Sequence, residues 1–130
     1  MASYRTPLSR ARGLGSAKHG AGLWIGERIT SIALVPLVIW AVYSGLTLAA
    51  ADYAGAAAWV HSPVNAVLVV LLIAVGFWHM HSGLRVVVED YVDHPLARGG
   101  VLIVNLFVCA LGAGLAIFSV VKVAILGGAY

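Results

Sequence analysis

The chain has 130 residues, of which 62% are hydrophobic and only 10% charged, with a net charge of +3. A water-soluble domain carries about 25% charged residues, so the composition excludes an ordinary soluble globule and points to lipid as the solvent. The one cysteine, Cys109, excludes an internal disulfide and a cysteine-only metal site; set in an apolar run, it reads as a small buried hydrophobe.

The first element is a basic tail. Arg5, Arg10, Arg12 and Lys18 precede any acidic residue. The tail leads directly into an apolar segment, so it reads as a cytoplasmic juxtamembrane tail and not as a nucleic-acid-binding arm. No apolar core of a secretory signal lies within it. Its Ser- and Arg-rich, acid-free composition is also that of a transit peptide, which would exchange a bacterial inner membrane for a mitochondrial one.

Three segments then reach the roughly 20 apolar residues a membrane-spanning helix needs. They run from about Ile29 to Ala51, Pro63 to Val88 and Gly100 to Gly127, the bounds being good to about 2–4 residues. Asp52 to Ser62 is expected as a loop, with Pro63 in a first helical turn. Glu89 to Gly99 is expected as a second loop, with Pro95 and the Gly99–Gly100 pair stopping and restarting the chain. The expected fold is an all-α membrane protein with three transmembrane helices, a single membrane-anchor domain over residues 1–130.

The basic residues give an orientation. Arg5, Arg10, Arg12, Lys18 and Arg28 precede the first span, and Arg85 and Arg98 flank the second loop. All would share one side of the membrane, with Lys122 near the other. The positive-inside rule puts the N-terminus in the cytoplasm and the C-terminus outside.

The second span concentrates polar groups that are costly in lipid and therefore need a reason. His79 has Gly83 one turn on, nearly on its own face, which leaves room for a flat macrocycle beside an imidazole that can ligate haem iron. Asp90 returns to within about 20° of His79, about 16 Å further along the axis. His81 lies roughly 160° away, so the two histidines cannot share one metal ion. The alternative for His79 is a hydrogen bond to a neighbouring helix. Tyr91 is either an interfacial anchor or a hydrogen-bond donor to a quinone carbonyl, with the Asp90 carboxylate beside it. Arg28 is either a snorkelling residue that ends the span or the partner of an anionic group such as a haem propionate. Glu27 is available to the basic tail.

The third span reads as packing. Gly112 and Ala116, and Ala110 and Gly114, are small pairs at the spacing that lets helix backbones approach. Asn105 and Ser119 are candidates for hydrogen bonds across helices.

The run from His79 through Gly83 to Asp90, Tyr91 and Val92 resembles the H-x3-G-x6-D-Y signature of the succinate dehydrogenase hydrophobic membrane anchor family. The stretch from Arg12 to Lys18, followed by Arg28 to Ser31, is similar to the entry of helix one in alphaproteobacterial members. The resemblance covers most of the chain and the three-helix layout. It implies a subunit of succinate:quinone oxidoreductase, respiratory complex II, with no succinate chemistry of its own. Its partners would be a second anchor subunit, an iron–sulfur subunit and a flavoprotein subunit, all held against membrane lipid, with no nucleic acid. It implies a b-type haem shared between the anchors, with His79 as the axial iron ligand on this side and His81 as the ligand in a shifted register. It implies ubiquinone near Tyr91 and Asp90, and Arg28 near the haem propionates. A fumarate reductase anchor and a cofactor-free structural subunit are the competing readings.

Overall fold

The computed structural model describes residues 6–13 and 20–126. Arg5, Lys18, His19 and Gly127 lie outside them, as does most of the stretch from Arg12 to Lys18. The described residues form five helices: α1 (Pro7–Ala11), α2 (Gly20–Leu48), α3 (Tyr53–His61), α4 (Pro63–Tyr91) and α5 (Pro95–Leu126). The short α1 is capped by Thr6, whose hydroxyl accepts from the Ser9 N–H at 3.2 Å. Gly13 follows it at a φ of 63°, a conformation that side-chain-bearing residues rarely take.

Helices α2, α4 and α5 are each long and apolar enough to cross a membrane. At 1.5 Å per residue their 29, 29 and 32 residues run to roughly 43–48 Å, against a hydrocarbon core of about 30 Å. Each therefore projects into the interface. That explains the differences from the expected spans. Helix α2 begins well before Ile29, at Gly20, because polar Glu27 and Arg28 end the apolar run without ending the helix. The expected second loop shrinks to residues 92–94, since α4 continues through Tyr91 and α5 already starts at Pro95. Pro95 serves as a helix start, and Gly99 and Gly100 sit inside α5.

The expected first loop is mostly helix α3. Its alanines favour helix, and Asp52 caps it by accepting the Gly55 N–H at 2.8 Å. Trp59 stacks on Trp40 of α2, with ring centroids 5.6 Å apart. His61 Nδ1 donates to the Ala124 carbonyl of α5 at 2.8 Å. Helix α3 thus ties α2 and α5 together at the end of the bundle remote from Arg28 and Arg85.

Helix α4 is the middle helix, packed against both α2 and α5. Among the described residues only Ser44, Ala57 and Cys109 are buried, and large apolar side chains face outward along all three long helices. In water this would be an unstable surface; in lipid it is the expected one. Gly112 allows a close approach of α5 to α4. A Cβ there would lie 2.6 Å from the Phe77 ring. Gly114 meets nothing within 4 Å, and Ser119 donates to Leu115 of its own helix. Those two expectations of cross-helix contact therefore fail within this chain, whereas Asn105 does cross.

Candidate functional site

His79 lies well inside α4, so Pro63 and Tyr91 are about 24 Å and 18 Å away along the axis. Its imidazole is turned towards α2. Nδ1 lies 2.9 Å from Thr30 Oγ1 and 3.3 Å from Glu27 Oε2. Glu27 and Thr30 are three apart on a helix and so lie on neighbouring faces. The Thr30 hydroxyl already donates its one proton to the carbonyls of Gly26 and Glu27, at 3.0 and 3.1 Å. With that proton committed, Oγ1 can only accept, and Glu27 in its ionised form is an acceptor too. On that assignment of the hydroxyl proton, Nδ1 carries the hydrogen. The lone pair of the neutral ring is then on Nε2, which takes no hydrogen bond from any described residue.

His81 is held the opposite way. Asn105 of α5 donates from Nδ2 to the His81 carbonyl at 3.0 Å and to His81 Nδ1 at 3.1 Å. The Asn105 amide cannot be turned over, because the His81 carbonyl can only accept and so requires Nδ2 facing it; Oδ1 then lies 3.4 Å from the Cys109 thiol. His81 Nδ1 is thus an acceptor, and the proton of the neutral ring is on Nε2. Two imidazoles close together on one helix therefore hold opposite tautomers. Of the two, only His79 has a ring nitrogen with an uncommitted lone pair.

A cleft of about 450 Å³ runs beside His79, lined by Ser31, Leu34, Val35, Val38 and Ile39 of α2. The Gly83 position one turn on is open, with nothing within 4 Å of a Cβ placed there. A second cleft of about 550 Å³ opens at the Arg28–Arg85 end, and His81, Ser82 and Trp24 are among its walls. Ser31 lines both. Arg28 lies in this second cleft, its guanidinium carbon 5.2 Å from the Trp24 ring centre. Arg85 is paired with Glu89 at 2.7 Å. Glu27 faces His79; its expected pairing with the basic tail involves Arg5 and Lys18, which lie outside the described residues.

Asp90 and Tyr91 end α4, both exposed, Tyr91 at 82%. Neither lines these clefts, so the structure does not bring them together with His79. Among the described residues no three His, Cys, Asp or Glu side chains converge as metal ligands. The alternative read for His79, a hydrogen bond to a neighbouring helix, is present through Thr30 of α2; sequence reasoning did not identify Thr30 and Glu27 as its neighbours. The spacing of Glu27 and Thr30 on one helix was the available signal, but it does not name the helix they face.

Fold and site together define a small three-helix membrane protein with an imidazole held by a neighbouring helix part-way along its middle span. The chain belongs to the succinate dehydrogenase/fumarate reductase transmembrane subunit family, whose model matches residues 2–124. It is 32% identical over 106 residues to a succinate dehydrogenase hydrophobic membrane anchor subunit of Rickettsia conorii, covering 80% of this chain and 84% of that one. It is 30% identical over 105 residues to the Rickettsia bellii anchor subunit, with the same coverage of both. To that of Rickettsia felis it is 35% identical over 89 residues, covering 68% and 74%. No solved structure matches the chain. With three apolar helices and bacterial relatives, this is a multi-pass protein of a bacterial inner membrane.

Proposed function

We propose that this chain is one of the two membrane anchors of a succinate:quinone oxidoreductase and that His79 supplies one axial ligand to a b-type haem shared with the second anchor subunit. The observation that carries the ligand assignment is the tautomer pair: the His79 contacts leave Nε2 with its lone pair, and the His81 contacts do not. The donor set fits, since one neutral imidazole per chain is what a bis-histidine haem requires. The apolar cleft along α2 and the open face at Gly83 offer room for a macrocycle.

Bound haem would supply a one-electron store within the bilayer. The chain's own residues do the rest. Thr30 and Glu27 fix the ring plane of His79 and keep its proton on Nδ1. Leu34, Val35, Val38 and Ile39 keep water from the cleft. Arg28 is one turn of α2 from Ser31 and two from Val35, on the side facing the membrane surface, where its guanidinium can meet a propionate.

Asp90 and Tyr91 belong, in this reading, to a ubiquinone site completed by the iron–sulfur and second anchor subunits. The Tyr91 phenol donates to a quinone carbonyl, and the Asp90 carboxylate helps manage the protons that quinone reduction takes up. The exposure of both residues supports this, because a half-site awaiting partner subunits has to be open. Loop charges put this end of α4 in the cytoplasm, where a flavoprotein that oxidises succinate can dock. The relatives are succinate dehydrogenase anchor subunits, which favours succinate oxidation over fumarate reduction.

The test is a pair of variants in the purified complex. His79→Ala is expected to abolish the b-haem band of the reduced-minus-oxidised spectrum, and His81→Ala to keep it. A band that survives the first substitution overturns the assignment.

A further inference from the structure

Glu27 is an acid at the polar end of α2, where the apolar run stops and the helix continues. Its Oε1 is buried and accepts no hydrogen bond among the described residues. Its Oε2 lies 3.3 Å from His79 Nδ1. Two arginines line the same cleft as Glu27, and both are otherwise engaged. Arg28, next in sequence, is laid over Trp24, and Arg85 is paired with Glu89. The one ionic contact Glu27 makes among the described residues is therefore with the imidazole.

The neutral hydroxyl of Thr30 is the closer acceptor, at 2.9 Å, and would by itself be enough to fix the tautomer. A carboxylate as well is more than ring orientation demands. What it adds is charge. A metal-bound imidazole that shares its remaining N–H with a carboxylate is a more basic ligand, and such outer partners tune the metal as well as orient the ring.

We propose that Glu27 is a positioning residue that acts on a haem through His79: its carboxylate, 3.3 Å from Nδ1, sets a negative charge beside the hydrogen that Thr30 accepts, strengthens donation from Nε2, and holds the reduction potential of the iron below what a neutral side chain would give. The proposal rests on the reading of His79 as the axial ligand. Thr30 sets the direction of the ring, and Glu27 sets how strongly the ring donates.

The experiment is potentiometry of the b-haem band in the detergent-purified complex, comparing wild type with E27Q, and with His79→Ala as reference. Glutamine keeps the size of the side chain and a carbonyl acceptor but removes the charge. The expected result is a retained haem band whose midpoint moves to a more positive potential; each tenfold shift between the iron's oxidation states reads as about 59 mV for one electron. An unmoved midpoint in E27Q, with the band lost in His79→Ala, overturns the role of Glu27 and leaves the ligand in place. A band that persists in His79→Ala overturns the ligand reading and this proposal with it. If E27Q does not assemble, E27D decides: it keeps the charge but withdraws the oxygen from Nδ1. A midpoint equal to wild type then overturns the proposal, and a positive shift supports it. A side chain serving only the packing of α2 on α4 would change yield and leave the potential where it was.

Discussion

Asn105 of α5 holds His81 of α4 at two points, its Nδ2 donating to the backbone carbonyl at 3.0 Å and to Nδ1 at 3.1 Å. The pair joins two spanning helices and commits the lone pair of one imidazole. Replacing Asn105 with Leu removes both bonds and leaves the His81 ring without its donor. Cross-helix hydrogen bonds in membranes contribute about 0.6 kcal/mol on average and up to about 1.7, so a loss on the order of 1 kcal/mol is expected. Thermal inactivation of the purified complex should shift downward while the haem band stays. A lost haem band would mean that the Asn105 pair also supports the ligand.

Gly112 gives a sharper packing test. A Cβ at this position would stand 2.6 Å from Phe77 Cε1 and 3.0 Å from Cζ, so Gly112→Ala forces the ring of α4 aside. Overpacking of this kind costs about 1–3 kcal/mol. The substitution should lower thermal stability, and adding Phe77→Leu should restore part of it. Gly114→Ala, with open space around it, should do neither.

Tyr91 tests the quinone half-site. Tyr91→Phe removes only the phenolic hydroxyl from a residue that is 82% exposed, so folding should be unaffected. Quinone reduction should fall by roughly 100-fold or more, in keeping with loss of a general acid or donor. Dye-linked succinate oxidation should be unchanged. Equal losses in both assays, or none in either, would return Tyr91 to the role of interfacial anchor.

The orientation is open to direct measurement. Alkaline phosphatase fused after the last residue should be active if the C-terminus lies outside, and green fluorescent protein at the same point should be dark. The reverse pattern would place Asp90 and Tyr91 away from the cytoplasm and remove the docking argument for them.

The parts legible in the sequence were those governed by one helix at a time. Three spans follow from apolar run length, and the His79–Gly83–Asp90 stripe follows from 3.6 residues per turn. Helix ends were less legible, because hydrogen bonding carries α2 back to Gly20 and α4 on to Tyr91 after hydropathy has fallen. Helix α3 was hidden for the opposite reason. Its nine residues are too few to register as a span, though Asp52 and the alanines were its signals. The state of each histidine was not legible at all. It depends on which neighbour reaches which ring nitrogen, on Thr30 and Glu27 from one side and Asn105 from the other, and that is a property of packed helices.

The clamp on His79 also bears on the order in which the protein is made. The ring belongs to α4, but the groups that orient it belong to α2, which leaves the ribosome earlier. Until the first long helix and the middle one have met in the bilayer, the imidazole is free to rotate and its proton to sit on either nitrogen. Packing of α2 on α4 is thus what orients His79, and His81 waits for Asn105 of α5, the last helix to be made.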